Sequence, residues 1–249
     1  MKRYCIILFC ACLLIAFSRA TMAQSVPATK RAGDFVYVSG LAVESGDLRE
    51  QTRAALNQLT RKLQAAGSSL AQTASVFVTL RAAADFEAMN ETSRSFWPQA
   101  PPTRTTIIAG TIAPMARVQI SAVALRNGVE RAVIYPTGWQ KNPNYSYGIK
   151  SGNTLFLSGL VARDPKTGAD VSGDITAQTK QVLQNAGEIL QAAAMNYADV
   201  VSARAFISDA AQFQTMNAAY RPSAKAGCAQ ARTGVQQRAG SLGNRHAKL

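Results

Sequence analysis

Apolar and polar positions along residues 33–222 fall into short blocks that come in a fixed order. Phe35–Ser39 is a β-rich run closed by Gly40, which predicts a strand ending in a turn or bulge. Leu56, Leu59, Leu63 and Ala66 follow at spacings of 3, 4 and 3, one face of a helix. Asp47 stands where that helix should begin, with Glu50 three residues on, the pattern of a capping box. Val76–Leu80 predicts a buried strand and Phe86–Trp97 a second helix. Thr105–Ala109 and Arg117–Leu125 predict two more strands, the last alternating through Val118, Ile120 and Ala122. This order predicts an α+β fold, two helices on one face of a mixed sheet.

The order is then repeated. Gly33-Asp34-Phe35 through Ser39-Gly40 returns as Gly152-Asn153-Thr154 through Ser158-Gly159, an offset of 119. Extra residues around Arg163–Val171 raise the offset to 127, and it holds there. Asp47 meets Asp174, Gln51-Thr52 meets Gln178-Thr179, Phe86 meets Phe213, and Met89-Asn90 meets Met216-Asn217. An ungapped match over that distance is a duplication, and its period is far too long for a solenoid. The helical face recurs as Leu183, Ala186, Leu190 and Ala193, and Val200–Ile207 and Gln212–Tyr220 predict the second unit's inner strand and helix. The units are therefore 24–127 and 128–222. After Pro222 the alternation stops, so the second unit is expected to lack its final strands, and residues 223–249 to form a basic unstructured tail.

Charge changes this picture at its ends. The 249 residues carry a net +13, which first suggests a polyanionic partner. Nine of those excess charges lie in residues 1–23 and 221–249, and residues 128–220 are balanced. No basic face is expected on the core, and nucleic acid is not an expected partner. The hydrophobic fraction of 47% excludes a wholly disordered chain. The single histidine, His246, leaves no basis for a Ser-His-Asp triad or a multi-histidine metal site. Lys2-Arg3, the apolar run Tyr4–Phe17 and Thr21-Met22-Ala23 read as a signal peptide, residues 1–23, cut after Ala23. The run is shorter than the roughly 20 residues that span a bilayer. A periplasmic or secreted protein, with no membrane association after cleavage, is the expectation. Cys228 alone would remain, too few for an internal disulfide.

Four features could carry chemistry, and each has a plain structural reading. Ser39-Gly40, repeated as Ser158-Gly159, ends a strand; it is either a turn or an exposed amide and hydroxyl for a polar ligand. Asn90, repeated as Asn217, sits in a helix where asparagine is a mediocre choice; it is a hydrogen-bonding strut or a ligand contact. In Pro101-Pro102-Thr103-Arg104-Thr105-Thr106 the prolines fix the entry to a β-branched strand, so Arg104 is a surface group or a rigidly held guanidinium for a carboxylate. Pro143-Asn144-Tyr145-Ser146-Tyr147-Gly148, just before the second Ser-Gly strand, reads as a turn with packed aromatics.

Together these segments resemble the RidA family, also called YjgF or endoribonuclease L-PSP. Its marks are a Pro-Tyr-Ser segment, a Gly-Asn-x-aromatic-x-Ser-Gly strand, Met/Val-Asn in the second helix and Pro-x-Arg opening the penultimate strand. The resemblance covers nearly all of 33–125 and 132–222. It implies two tandem chorismate-mutase-like domains and a homo-oligomer, a trimer, with ligand clefts between subunits. It also implies hydrolysis of enamine and imine acids such as 2-aminoacrylate to a 2-keto acid and ammonia, without metal or cofactor. By that resemblance Arg104 would grip the substrate carboxylate. Ser39, Gly40 and Asn90, or Ser158, Gly159 and Asn217, would line the pocket, with Tyr145 beside them. The family's water-activating glutamate falls on Gln119, whose amide holds a water without taking its proton; loss of a general base lowers rates by ~10²–10⁴. The second unit has Tyr145 and lacks the arginine, so a complete site would join Tyr145 of one unit to Arg104 of another. The alternative is a non-catalytic periplasmic ligand-binding or scaffold module on the same fold.

Overall fold

The computed structural model describes residues 29–110, 112–225 and 236–237. The signal-peptide reading of 1–23 and most of the tail lie outside them. The first unit consists of β1 (Thr29–Ala32), β2 (Phe35–Ala42), α1 (Leu48–Ala65), β3 (Ser68–Leu80), α2 (Phe86–Arg94), β4 (Thr103–Ile108) and β5 (Val118–Arg126). Its five-stranded sheet has the order β1-β2-β5-β3-β4. Only β3 and β4 are parallel; the other pairs are antiparallel. The expected capping box is present: Glu50 N donates to Asp47 Oδ1 at 2.9 Å, and Asp47 N to Glu50 Oε2 at 2.8 Å. From that start α1 lays Ala55, Leu56, Leu59 and Leu63 on Val36, Val38, Val76, Val78 and Ile120 to form the main core. Each buried leucine there contributes roughly 1.5–3 kcal/mol.

The second unit consists of β6 (Ala132–Ile134), β7 (Gly148–Ser151), β8 (Thr154–Leu157), α3 (Ile175–Ala192), β9 (Phe206–Ile207) and α4 (Phe213–Lys225), with β10 (Gln236–Gln237) beyond. The repeat holds element by element. A shift of 119 carries β1 and β2 onto β7 and β8; a shift of 127 carries α1 onto α3 and the start of α2 onto that of α4.

Where the second unit departs from the first, its sheet is the reason. Among the described residues it holds an antiparallel sheet β6-β7-β8 and a two-residue parallel pair β9-β10, not the mixed sheet expected. The strand expected over Val200–Ile207 is reduced to Phe206–Ile207, and Val201 is 89% exposed. Its counterpart β3 is held on both sides, by β5 and β4. A strand without a ladder on either side leaves its amides to water and has no reason to stay regular. The tail also differs from expectation: α4 runs through Pro222 to Lys225, and β10 pairs with β9 in parallel, as β4 does with β3. In the first unit α2 stops at Arg94, short of Trp97, because Pro98 disfavours helix in the residue before it.

The two units join along β4, the edge of the first sheet. Its outer side is taken up by the second unit: Gly159 N donates to Arg104 O at 3.0 Å and Ser146 N to Pro102 O at 3.1 Å. Arg104 N donates to Ser158 Oγ at 2.8 Å. An edge strand is thereby closed within the chain. A second, apolar contact packs Phe35, Ala74 and Leu125 with Ile149 and Phe156.

Candidate functional site

The seam on β4 creates a polar site. The parallel register pairs Arg104 with Val76, so its side chain lies on the sheet face that α2 covers. Its guanidinium carbon stands 5.8 Å from the Phe86 ring centroid and 5.8 Å from that of Tyr145, one ring from each unit. Nη1 reaches Met89 Sδ at 3.9 Å. Arg104 is only 9% exposed, and among the described residues no carboxylate hydrogen-bonds to it. Burial is the main reason its pKa drops to about 10; Arg94 lowers it further, while Tyr145 and Glu87 oppose the fall. A buried cation with no carboxylate bonded to it among the described residues is costly; Glu87 opposes that cost through space, and a bonded ligand carboxylate would offset more of it. Burial raises the Tyr145 pKa against the pull of Arg104 and Arg163, so its hydroxyl stays protonated near neutral pH.

Two further polar atoms lie on that side of the sheet. Asn90 Oδ1 on α2 and Thr106 Oγ1, two residues after Arg104 on β4, are buried without a hydrogen-bond partner. Buried polar atoms are nearly always paired, so both mark a place where a polar ligand or water belongs. Ser158 holds the floor: its Oγ donates to Ser146 O at 2.7 Å while accepting from Arg104 N. Ser146 Oγ donates to Pro101 O at 2.6 Å, tying the Tyr145 loop to the entry of β4. A Cβ on Gly159 would lie 3.0 Å from Thr105 Cγ2 and 3.3 Å from Thr105 Cα, so glycine permits this approach.

Of the residues expected at a site, Arg104, Tyr145, Ser158 and Gly159 are therefore gathered, with Asn90 on the adjoining helix. Ser39, Gly40 and Gln119 are elsewhere. Ser39-Gly40 forms a bulge in β2, with Gly40 at φ 66° and its N–H donating to Ser121 Oγ at 3.0 Å. Gln119 pairs with Ala42 and Thr79, which puts it on the face opposite Arg104, and its Nε2 would lie 3.4 Å from a Gly40 Cβ. This corrects the expectation that Gln119 shares the pocket of Arg104: it belongs with its own unit's Ser-Gly. The equivalent position in the second unit is residue 246, outside the described residues. Asn217 is half-buried on α4, which packs against α3. Gln119→Glu is accordingly expected to leave pyruvate binding at Arg104 unchanged within about twofold, read by calorimetric titration; charges on opposite sheet faces couple weakly through solvent.

Sequence reasoning missed Phe86, Met89, Thr106 and Ser146. Phe86 and Met89 had a signal in their recurrence as Phe213 and Met216. Thr106 and Ser146 had none beyond their place in the proline-led segments. Among the described residues no group of three His, Cys, Asp or Glu could hold a metal ion.

The family model described as Endoribonuclease L-PSP matches residues 18–126 and again 139–243. The chain belongs to this family. Both units are RidA-type domains of the α+β class. A RutC family protein of Pyrococcus horikoshii is 46% identical over 76 residues, 30% of this chain and 60% of that protein. The chloroplastic Reactive Intermediate Deaminase A of Arabidopsis thaliana is 37% identical over 107 residues, 43% of this chain and 56% of that one. A 2-iminobutanoate/2-iminopropanoate deaminase of Homo sapiens is 36% identical over 77 residues, 31% and 56% of the two chains. The chain thus spans less than two thirds of the length of these relatives. Among solved structures, an uncharacterized protein from Pseudomonas aeruginosa is 33% identical with a TM-score of 0.39, covering 40% of this chain and 90% of its own.

Proposed function

We propose that the seam between the units, at Arg104, binds a small 2-imino or 2-enamino acid by its carboxylate and hydrolyses it to a 2-keto acid and ammonia. The observation that carries the reading is the buried Arg104 guanidinium, close to the Phe86 and Tyr145 rings and bonded to no carboxylate among the described residues. Both rings stand 5.8 Å from the guanidinium carbon, and its planar fork of N–H donors suits a bidentate pair with a carboxylate. The names of the relatives supply the reaction class. The enamine 2-aminoacrylate tautomerises to 2-iminopropanoate; a water oxygen then bonds to C2, and the C2–N bond breaks as ammonia leaves with the water's protons. Here Arg104 would fix the carboxylate, and the protonated Tyr145 hydroxyl would donate a hydrogen bond at the reacting end.

One observation favours the second reading, a binding module: no carboxylate or imidazole among the described residues hydrogen-bonds to Arg104 or Tyr145, so no base is held in place there by those two side chains. Imine release by an amino-acid oxidase, trapped by semicarbazide, separates the two. Faster loss of 2-iminopropanoate in the presence of the protein supports hydrolysis, whereas pyruvate binding without acceleration supports the module. Export after cleavage at Ala23 and assembly as a trimer belong to the same proposal. N-terminal sequencing of exported protein and light scattering check them, and a monomer would rule the trimer out.

The depressed pKa of Arg104 gives a pH dependence. The charged form binds the anion, so affinity is flat below the folded pKa and falls as pH rises through it. Pyruvate affinity should hold from pH 7 to 9 and fall by about tenfold per unit above about pH 10. A site built on an ordinary exposed arginine would hold its affinity well beyond that point.

A further inference from the structure

The extra residues that shift the repeat from 119 to 127 form a hairpin found in the second unit alone. Val171 N donates to Ala162 O at 2.9 Å and Asp164 N to Ala169 O at 2.8 Å, with Arg163 and Asp170 bridged across it at 2.7 Å. Asn185 Nδ2 on α3 donates to Arg163 O at 2.8 Å and fixes the base of the hairpin. Its tip reaches the loop before β7: Gln140 N donates to Pro165 O at 3.1 Å, and Gln140 Nε2 to Lys166 O at 2.9 Å. The Gln140 carbonyl in turn accepts from the Tyr147 hydroxyl at 3.0 Å.

Tyr147 is the centre of an aromatic cluster. Its ring is edge-on to Trp139 at 4.7 Å, to Tyr145 at 5.6 Å and to Tyr135 at 6.3 Å. Trp139 is itself held, with Nε1 donating to Glu188 Oε2 at 2.9 Å. The Tyr145 ring then faces Arg104. Each link from the hairpin tip to the guanidinium is thus a direct contact, in the order Lys166, Gln140, Tyr147, Tyr145, Arg104.

We infer that the hairpin, acting through Gln140 and Tyr147, positions Tyr145 against Arg104 and so sets the geometry of the cleft. Edge-on packing fixes a ring's tilt as well as its place. Burial holds the Tyr147 pKa at about 12, so its hydroxyl keeps its proton and its bond to Gln140 across the neutral range. Tyr147 is a positioning residue: it reaches Arg104 only through Tyr145. Ser146 already ties the Tyr145 backbone to the entry of β4, and the brace adds a fix on the Tyr145 ring itself. The hairpin's presence in the one unit that carries a cleft tyrosine is accounted for in the same way.

The inference rests on the proposed carboxylate site only for its ligand readout, so the deciding measurement needs no ligand. The Arg104 Nε–H resonance, assigned with Arg104→Lys, senses the ring currents of Phe86 and Tyr145. Tyr147→Leu should move it away from the ring-shifted position. Tyr147→Phe removes the bond to the Gln140 carbonyl, and Gln140→Ala removes the side-chain bond to Lys166 O while leaving both backbone bonds; each keeps the rings and should move it part of the way, Gln140→Ala the less. Combined, those two should fall short of the sum of their effects, because they break one chain of contacts. Pyruvate affinity should drop by about 2- to 10-fold in step, the range for loss of one aromatic pair. A resonance that stays in place in folded variants overturns the inference, and should Tyr147→Leu fail to fold, the two milder variants decide it. A resonance that moves in a protein that binds no pyruvate upholds the positioning and overturns the carboxylate reading instead.

Discussion

Arg104→Ala should weaken pyruvate binding by about 100-fold and remove any hydrolysis of 2-iminopropanoate. Truncating one partner of a buried charged pair costs about 2–5 kcal/mol, and each 1.4 kcal/mol is a factor of ten. Arg104→Lys should recover only part of the affinity, since a point charge cannot form two parallel bonds to a carboxylate. Arg104→Met separates binding from folding. The free protein holds a buried guanidinium near Phe86, Tyr145 and Met89, with no carboxylate bonded to it among the described residues. Replacing such a charge by an apolar side chain of similar volume is often neutral or stabilising, by about 1–4 kcal/mol. The account therefore predicts that Arg104→Met loses binding while its urea midpoint stays level or rises. A midpoint that falls along with the affinity would show that the arginine is mainly a structural strut.

Gly159→Val should open the seam between the units. The added Cβ would stand 3.0 Å from Thr105 Cγ2 and 3.3 Å from its Cα, and the backbone atom has no means of yielding. Overpacking of this kind costs about 1–3 kcal/mol. Forcing the strands apart also strains the bonds from Gly159 N to Arg104 O and from Arg104 N to Ser158 Oγ. Thermal unfolding should fall by about 3–10 °C for a chain of this size. Pyruvate affinity should fall too, because Tyr145 is carried by the unit displaced. Thr105→Ala removes the methyl and hydroxyl that Gly159→Ala would meet, so it should rescue part of the milder Gly159→Ala variant and less of Gly159→Val. No rescue would place the damage somewhere other than the seam.

How much of this was legible in the sequence follows from what is local and what is not. The capping box at Asp47 and Glu50, the leucine face of α1 and the order of elements depend on neighbours within a few turns, and the sequence shows them directly. The duplication was legible because its register survives, down to the matching ends of α1 and α3. The fate of Val200–Ile207 was not, since its β-rich composition says nothing of whether a partner strand lies beside it. Residues such as Val76 and Val200 carry the same propensity; ladders on both sides make a strand of one and leave the other irregular.

The site divides in the same way. That Arg104 and Tyr145 would come from different units could be argued from what each unit lacks. The position of Gln119 could not, because it turns on pleat parity across three strands. One residue of register moves a side chain to the other face, and the pairing of Gln119 with Thr79 is set by contacts across the sheet. Ser146 and Thr106 were silent for a related reason: a small polar residue declares itself only when its partner, or the want of one, is in view.

The most direct test of the central claim is the stoichiometry with which the protein binds pyruvate. A calorimetric titration at pH 7.5 should give one site per chain, lost in Arg104→Ala and kept in Gln119→Glu. Two sites per chain, or one site indifferent to Arg104, would contradict a single carboxylate cleft built between the two units.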